Sequence, residues 1–310
     1  MRVLVVLFAL GIDLLFGELP NRFHPVAFMG RYIGALARRK PGGNISRFLF
    51  GAFIVVSGAA LFGGGAALLF RFAEKAPEVL GVAAAAFLLK QTLAVRSLLA
   101  AGRGVENALR REDLPEARRL LSFHLVSRDT SNLTASEIAG AAVESLAENI
   151  TDGVLSPIVY FVLFGLPGAW IFRFVNTCDS MIAYRDPERE YFGKFAAYAD
   201  TALNFLPART AGFALAAAAA VCGADGKNAL KVMIRRHGST QSRNAGWTMA
   251  AAAGALGVTL EKRDCYRLEG GAAEPTADTL ARARKIVLLA IVLLVVILSL
   301  LAGGAYAIFS

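Results

Sequence analysis

Two long uncharged stretches, 48–70 and 286–310, constrain this chain more than any other feature of its sequence. They contain 23 and 25 residues, and at about 1.5 Å of rise per residue a helix of either length crosses the roughly 30 Å hydrocarbon core of a bilayer. The 310 residues are 56% hydrophobic and only 18% charged, whereas soluble domains carry about 25% charged residues. The sequence therefore predicts an all-α polytopic integral membrane protein with about four to six membrane helices.

Four shorter apolar stretches complete the set of candidate spans: 3–17, 79–101, 153–175 and 204–222. The first of them could also be a signal peptide, but Asp13 and Glu18 interrupt it and no small-residue cleavage site follows, which favours a retained helix. The third is interrupted by Gly165-Leu166-Pro167-Gly168, and Pro and Gly disfavour a continuous helix. We therefore expect a broken or re-entrant segment near 153–175.

Charged residues collect in the polar loops between these stretches: 20–47, 101–152, 176–203 and 223–285. Loops 20–47 and 223–285 carry six and eleven basic residues, so the positive-inside rule places both in the cytoplasm. We expect amphipathic helices in loop 101–152. The net charge of +9 reflects these loops, since the chain has no RNA-binding aromatic pattern, and nucleic acid is excluded as a partner. The whole chain, 1–310, is predicted to be one membrane domain.

Cysteine usage excludes two further classes of site. Cys178, Cys222 and Cys265 share no CxxC spacing and cannot all pair. They indicate reduced thiols rather than a zinc site or a disulfide framework.

The most informative polar segment is 135–153 (ASEIAGAAVESLAENITDG), directly before the interrupted apolar stretch. On a helix, Glu144 and Glu148 are four residues apart and share a face, and Asp152 follows one turn later. In a soluble protein the simplest interpretation is a solvated acidic face, but unpaired carboxylates beside a membrane segment are costly. We therefore expect these carboxylates to bind a cation, either Mg²⁺ or the ammonium group of an amine.

Further polar clusters stand at the ends of apolar stretches. Segment 127–132 (SRDTSN) combines an arginine with hydroxyl groups ahead of a helix start, an arrangement that suits phosphate or carboxylate. Segments 176–185 (NTCDSMIAYR) and 204–209 (NFLPAR) stand at other boundaries, and His24 follows the first stretch, where a lone histidine is more often structural. We predict that five of these residues meet in one cavity at the cytoplasmic edge of the membrane: Arg128, Asp129, Asn176, Asp179 and Arg209.

Taken in order, six segments of the chain resemble the CobD/CbiB family of membrane proteins of cobalamin biosynthesis. They are DLLFGELPNRFHPVAFMGRYI (13–33), SRDTSNLT (127–134), AAVESLAENITDGVLSPIVYF (141–161), FVNTCDSMIAYR (174–185), NFLPAR (204–209) and NAGWTMAAAAGALGV (244–258). The resemblance covers nearly the whole chain. It implies an adenosylcobinamide-phosphate synthase, an amide-forming ligase that uses ATP and Mg²⁺ to join aminopropanol or aminopropanol phosphate to a propionate of adenosylcobyric acid.

Within this resemblance, the polar residues are expected to have catalytic or binding roles. The catalytic candidates are Glu144, Glu148, Asp152 and Asp179, and the Mg²⁺ ligands among them are Glu144, Glu148 and Asp179. The candidates for binding substrate or phosphate are His24, Arg128, Asp129, Thr130, Ser131, Asn149, Asn176, Ser180, Tyr184, Arg185, Asp200, Asn204, Arg209 and Asn244.

The alternative function is that of a membrane corrinoid transporter or assembly scaffold without ligase activity, in which the acids bind a coupling ion. A transporter should show inverted repeats in its hydropathy, and none is evident in the sequence. The expected partners are the corrinoid and aminopropanol (phosphate) substrates, the lipid bilayer and other cobalamin-assembly enzymes. We expect a multi-pass protein of the cell membrane with its active-site loops in the cytoplasm. No GxxxxGK[ST] phosphate loop is present, so the sequence assigns no residues to ATP.

Overall fold

The computed structural model of the protein describes residues 1–39, 41–183 and 190–309. The helices in chain order are α1 (Arg2–Phe16), α2 (Pro25–Ala37), α3 (Asn44–Glu74), α4 (Glu78–Lys90), α5 (Val95–Arg110), α6 (Leu114–His124), α7 (Ala135–Ile150), α8 (Ser156–Ile182), α9 (Glu190–Leu203), α10 (Phe205–Val221), α11 (Gly226–Arg236), α12 (Ala245–Leu256) and α13 (Ala277–Phe309). A π-helical turn (Thr151–Leu155), a 3₁₀ turn (His237–Ser239) and strands β1 (Thr259–Lys262) and β2 (Tyr266–Glu269) complete the described elements.

The chain divides into two compact units. The first unit comprises residues 1–95, 156–204 and 301–310, and the second comprises 96–155 and 205–300. Each unit buries its own apolar side chains, such as Ile33 in the first and Leu146 in the second. The single membrane domain over 1–310 stays a prediction.

Four helical stretches in the described part of the chain are long and apolar enough to cross a membrane: Asn44–Glu74, Glu78–Arg110, Ala135–Ile182 and Ala277–Leu300. The α10 helix is apolar but shorter. Because helices of this length can cross a bilayer while satisfying their own backbone hydrogen bonds, the chain is an all-α multi-pass membrane protein, as predicted. Residues 91–94 interrupt the second stretch between α4 and α5.

The predicted break near 153–175 is confirmed at Gly165, whose φ of 71° and ψ of −161° lie outside the helical region. The rings of Tyr160 and Phe172 stack with centroids 5.4 Å apart, whereas twelve residues of straight helix would separate them by about 18 Å. A Cβ atom at Gly168 would overlap the Tyr160 carbonyl group. The chain therefore folds back at Gly165, and the second arm, 166–182, is the longer one.

The predicted amphipathic helices of loop 101–152 are confirmed, and side-chain caps mark where two of them begin. The Asp113 side chain caps α6 by accepting a hydrogen bond from the Glu116 amide at 3.1 Å. At the start of α7, Thr134 and Glu137 form a reciprocal capping box. The Asp113 cap marks the start of α6, and the capping box marks the start of α7.

Strands β1 and β2 form an antiparallel hairpin that the sequence did not predict. Leu260 pairs with Leu268, and Lys262 pairs with Tyr266 at the turn end. Asp264 in the turn has a φ of 59°, a left-handed conformation that Asp and Asn adopt more readily than most residues. Cys265 beside it is an exposed free thiol, like Cys222, whereas Cys178 is free and buried.

Candidate functional site

Glu137, the first acid of α7, is part of the capping box of that helix. Its Oε2 accepts hydrogen bonds from the Thr134 amide at 2.8 Å and the Thr134 hydroxyl at 3.0 Å. Its Oε1 forms an ion pair with Arg263. Glu137 is therefore satisfied by the protein, which leaves Glu144 and Glu148 as the acids whose partners decide the character of the site.

Glu144 is a buried acid with an incomplete set of partners. Its side chain is 7% exposed, and its Oε2 lies 3.9 Å from Nη2 of Arg128. The Tyr266 side chain contacts the same carboxylate. Its Oε1 is buried and has no hydrogen-bond partner among the described residues. Because a buried carboxylate oxygen without a donor costs free energy, this atom is suited to a bound cation or ammonium group.

The hairpin supplies the other side of this cluster. Burial, together with the charges of Glu144 and Glu148, raises the pKa of Tyr266 above its ordinary value, so its hydroxyl stays protonated and can donate. Lys262, opposite Tyr266 in the hairpin register, is close enough to interact electrostatically with Glu144. Two carboxylates, Glu144 and Glu148, and two cations thus interact around the Tyr266 phenol. The group is here called the Glu144 cluster: Glu144, Glu148, Arg128, Lys262 and Tyr266. Sequence reasoning missed Tyr266 and Lys262; the alternation of Leu260 and Leu268 with polar residues is the signal that could have indicated their strands.

The end of α7 is widened by the π-helical turn Thr151–Leu155, and turns of this kind occur frequently at functional sites. Asp152 lies in this turn and is half-buried. Asn149 donates to the Ser145 carbonyl at 2.9 Å, and Ser145 donates to the Leu125 carbonyl at 2.8 Å. The roles assigned to Asp152 and Asn149 stay predictions.

The polar loop before α7 mostly stabilises itself. Asp129 accepts hydrogen bonds from the amide and the hydroxyl of Ser131, both at 2.9 Å, and these bonds hold the pKa of Asp129 below its ordinary value. The Thr130 hydroxyl donates to the Arg118 carbonyl at 3.0 Å. Arg128 is the residue of this predicted cluster that reaches the Glu144 carboxylate.

Arg209 belongs to an aromatic cluster in the second unit. Its guanidinium carbon lies 3.5 Å from the Phe205 ring centroid and 4.8 Å from that of Trp247. The centroid of the His237 ring lies 4.1 Å from that of Trp247. Asn244 is buried at the start of α12, the helix that carries Trp247. The predicted phosphate-binding role of Arg209 stays a prediction.

In the first unit, two of the predicted residues converge on a third, Asp200. Asn176 donates to its Oδ1 at 3.2 Å, and Asn204 donates to its Oδ2 at 3.1 Å. The Ser156 hydroxyl donates to the Asn204 amide oxygen at 2.6 Å. Burial raises the pKa of Asp200, while the two asparagine bonds oppose that shift. The structure thus brings Asn176, Asp200 and Asn204 into one hydrogen-bonded group.

Asp179 and Ser180 lie near the end of α8. Asp179 is half-buried, and the exposed Ser180 donates to the Asn176 carbonyl at 3.0 Å. Tyr184 and Arg185 lie outside the described residues. Arg128, Asp129 and Arg209 belong to the second unit and Asn176 and Asp179 to the first, and their meeting in one cavity stays a prediction.

His24 is the N-cap of α2 and is held at both ring nitrogens. Its Nδ1 accepts from the Val26 amide at 3.2 Å, so Nε2 carries the proton and donates to Oε2 of Glu18 at 2.7 Å. Lys90 donates to the same Oε2 at 2.9 Å. Burial raises the pKa of Glu18, but the bonds from His24 and Lys90 outweigh it and hold the pKa below its ordinary value.

Asp13 completes this group of four side chains, here called the Lys90 network: Asp13, Glu18, His24 and Lys90. Asp13 is fully buried. Its Oδ2 accepts from the Val95 amide at 3.0 Å, and its Oδ1 lies 3.8 Å from the Lys90 ammonium. The substrate-binding role predicted for His24 stays a prediction, and the bonds that His24 makes here are structural.

Comparisons with known proteins assign the chain to a family. The family model described as CobD/Cbib protein matches residues 6–301. The cobalamin biosynthesis protein CobD of Dehalococcoides mccartyi is 42% identical over 267 residues, 86% of each chain. The probable cobalamin biosynthesis protein CobD of Methanothermobacter thermautotrophicus is 40% identical over 267 residues, again 86% of each chain. The CobD of Geobacter metallireducens is 38% identical over 262 residues, 84% of this chain and 82% of the other. No solved structure matches the chain. The chain belongs to the CobD/Cbib family.

Proposed function

We propose that this protein forms the amide bond between aminopropanol or aminopropanol phosphate and a propionate of adenosylcobyric acid, at the expense of ATP. Membership of the CobD/Cbib family and relatives named cobalamin biosynthesis proteins support a role in cobalamin biosynthesis. The observation that carries the finer proposal is the buried Glu144 carboxylate, which lies beside Arg128 and has one oxygen without a partner among the described residues.

The reaction makes two demands that this cluster can meet. A carboxylate reacts with an amine only after one of its oxygens becomes a leaving group, which phosphorylation by ATP provides, so the site must neutralise phosphate oxygens. Arg128 and Lys262 carry the positive charge for this. The site must also hold the amine and accept a proton from its ammonium form, and the Glu144 and Glu148 carboxylates are suited to both tasks.

The pair of acids also fits Mg²⁺, although no group of three or more His, Cys, Asp or Glu residues suited to a metal occurs in the part of the chain that the structure describes. Mg²⁺ usually keeps several waters and takes one or two carboxylates together with substrate phosphates. Glu144 and Glu148, one helical turn apart, would hold it, and the unpartnered oxygen of Glu144 is consistent with that role. The bound ion would neutralise charge on the phosphates of ATP. Asp179 stays a proposed ligand.

The test is product formation by the detergent-purified protein supplied with adenosylcobyric acid, aminopropanol phosphate, ATP and Mg²⁺, followed by mass spectrometry. Glu144→Gln and Glu148→Gln should each lower the rate at least about a hundredfold, the range of a lost acid–base group. Glu116→Gln is the matched control, because that acid lies on α6 and pairs only locally with Arg119. Wild-type turnover in both α7 variants would refute the assignment.

The transporter alternative gains little support from the first unit. Lys90 already pairs with both acids of its network, Asp13 and Glu18, so neither acid stands ready for a coupling ion. A protein that binds corrinoid but yields no amide with ATP and the amine would favour the scaffold. We also propose the cell membrane as its location, with loops 101–152 and 223–285 in the cytoplasm, where ATP is available.

A further inference from the structure

A cavity of about 830 Å³ lies within the second unit, apart from the Glu144 cluster. Its walls are the start of α7, one face of α11, the hairpin and the loop 270–275. This volume is within the roughly 300–1,000 Å³ of small-molecule sites. Of the motifs singled out in the sequence, only the start of segment 135–153 reaches it, through Ser136, Glu137 and Gly140.

The loop wall of the cavity is firmly held. Asn228 donates to the carbonyl groups of Gly254 at 2.9 Å and Gly270 at 2.8 Å, and Thr259 donates to that of Gly271 at 2.9 Å. A Cβ atom at Gly270 or Gly271 would overlap the backbone beneath the loop. The glycines therefore let the loop lie against α12, and the cavity is formed before any ligand enters.

Most charges that line the cavity are already neutralised. The acids are Glu137, Glu261, Glu269 and Glu274, and the cations are Lys231, Arg235, Arg236 and Arg267. Arg236 pairs with Glu269, Arg267 pairs with Glu261 at 3.3 Å, and Glu137 pairs with Arg263.

Two cations remain uncompensated. Lys231 and Arg235 are four residues apart on α11 and so share a face. Neither forms an ion pair with any residue that the structure describes, and Glu274 is the one lining acid without such a pair. A cavity with two exposed, unpaired cations on one wall favours an anionic occupant.

The hairpin is shared by the cavity and the Glu144 cluster. Side chains alternate across a strand, and Lys262 and Tyr266 lie toward Glu144. Their neighbours Glu261 and Arg267 line the cavity. The same two strands therefore separate the two polar sites.

We propose that this cavity binds a phosphate-bearing ligand, whose phosphate groups lie against Lys231 and Arg235. Lysine and arginine are the side chains that bind phosphate most strongly. Two sources supply that chemistry: the triphosphate of a nucleotide such as ATP and the phosphate of aminopropanol phosphate. Because the hairpin separates this cavity from the Glu144 cluster, either ligand would be held here apart from the reacting groups. Naming these two sources rests on the proposed function, and ATP, which no sequence motif located, is the first ligand to test.

The experiment measures equilibrium binding of radiolabelled ATP with Mg²⁺ to the full-length protein in detergent, with no corrinoid present. Lys231→Ala and Arg235→Ala should each weaken binding about tenfold, as expected for one lost charge-assisted contact. The matched controls are Lys227→Ala, on the same helix but outside the cavity, and Arg243→Ala, an exposed arginine of the same unit. Both controls should stay within about twofold of the wild type.

A parallel arm uses radiolabelled aminopropanol phosphate. If that compound rather than ATP binds and depends on Lys231 and Arg235, the phosphate site stands and its occupant is the amine substrate. If neither compound binds, or if the cavity variants bind like the controls, the inference is wrong. Amide formation is scored separately, so a wild type that binds ATP through Lys231 but makes no product would refute only the proposed function.

Discussion

The Lys90 network and the Glu144 cluster each contain a buried carboxylate, Asp13 in the first and Glu144 in the second, and the two differ in how that carboxylate is balanced. In the first unit, Oδ2 of Asp13 accepts from the Val95 amide, and its Oδ1, which makes no hydrogen bond with the described residues, lies 3.8 Å from the Lys90 ammonium. Glu18 accepts from His24 and Lys90. In the second unit Glu144 has Arg128 at 3.9 Å and an oxygen with no partner among the described residues. Lys90 supplies the charge that faces the Asp13 oxygen in the first group, and we propose that a bound ligand does so for the Glu144 oxygen in the second.

The Lys90 network and the Glu144 cluster illustrate two different reasons for burying a charged side chain. A buried ion pair often adds little net stability, yet the loss of one partner is strongly destabilising because it leaves the other charge unpaired. A buried carboxylate with an unpartnered oxygen lowers the stability of the folded protein. Such a loss of stability is common at sites that bind a ligand. Substitutions in the two groups should therefore affect different measurements.

The largest effect on stability is expected from Lys90→Met, which keeps the length of the side chain and removes the charge. Asp13 and Glu18 would lose their shared cation, and the free energy of unfolding in detergent should fall by about 3–5 kcal/mol. Lys227→Met, an exposed lysine, is the control and should change it by less than about 0.5 kcal/mol. Adding Glu18→Gln to Lys90→Met should restore part of the loss. An unchanged free energy of unfolding would show that Asp13 and Glu18 do not need Lys90 to balance their charges.

A smaller effect, on activity alone, is expected from Tyr266→Phe. The phenol is the hairpin's contact with the Glu144 carboxylate, and its removal should slow amide formation about tenfold, or about 1.4 kcal/mol. The melting temperature should stay within about 2 °C of the wild type, because the ring remains to pack. A large fall in melting temperature with full activity would make Tyr266 a structural residue instead.

His24→Ala should lower stability by about 1 kcal/mol, the usual loss on removing an N-cap. His24→Asn provides the comparison, since asparagine also caps helices well but does not reach Glu18 in the same way. If His24 serves mainly as a cap, the asparagine variant should recover most of the loss. If both variants keep full stability but bind substrate poorly, the substrate-binding role predicted for His24 would be favoured.

The smallest change is expected in the stability of Glu144→Gln, measured without substrates. Because the carboxylate is buried with one oxygen unpartnered, neutralising it should leave the free energy of unfolding unchanged or raise it by up to about 1 kcal/mol. A loss of more than about 2 kcal/mol would place Glu144 with Asp13 among the structural charges. The comparison between the two groups would then fail.

Features set by local sequence were predicted well. The apolar lengths indicated the membrane helices, and Gly165 and Pro167 indicated the break at which the chain folds back. Spacing alone placed Glu144 and Glu148 on one face of α7, because helical periodicity does not depend on the rest of the fold.

Contacts between distant parts of the chain were not predicted. Tyr266 reaches Glu144 from a short hairpin whose four-residue strands were too brief to stand out among helices. Lys90 was visible as a single charge in an apolar stretch, but nothing local connects it to Asp13 or Glu18. The cavity beside α11 depends on the loop 270–275 lying against α12. The spacing of residues along the sequence gives no sign of such a contact.

The exposed thiol at the hairpin turn gives the protein a reporter of its own. Cys265 adjoins Tyr266, and the other cysteine that the structure shows as exposed is Cys222. In a Cys222→Ser variant, a membrane-impermeant maleimide would therefore label one position. Its reaction in intact cells or in inverted vesicles reveals which side of the bilayer the hairpin faces, without an engineered cysteine. A ligand that binds beside either face of the hairpin would be detected as slower labelling of Cys265.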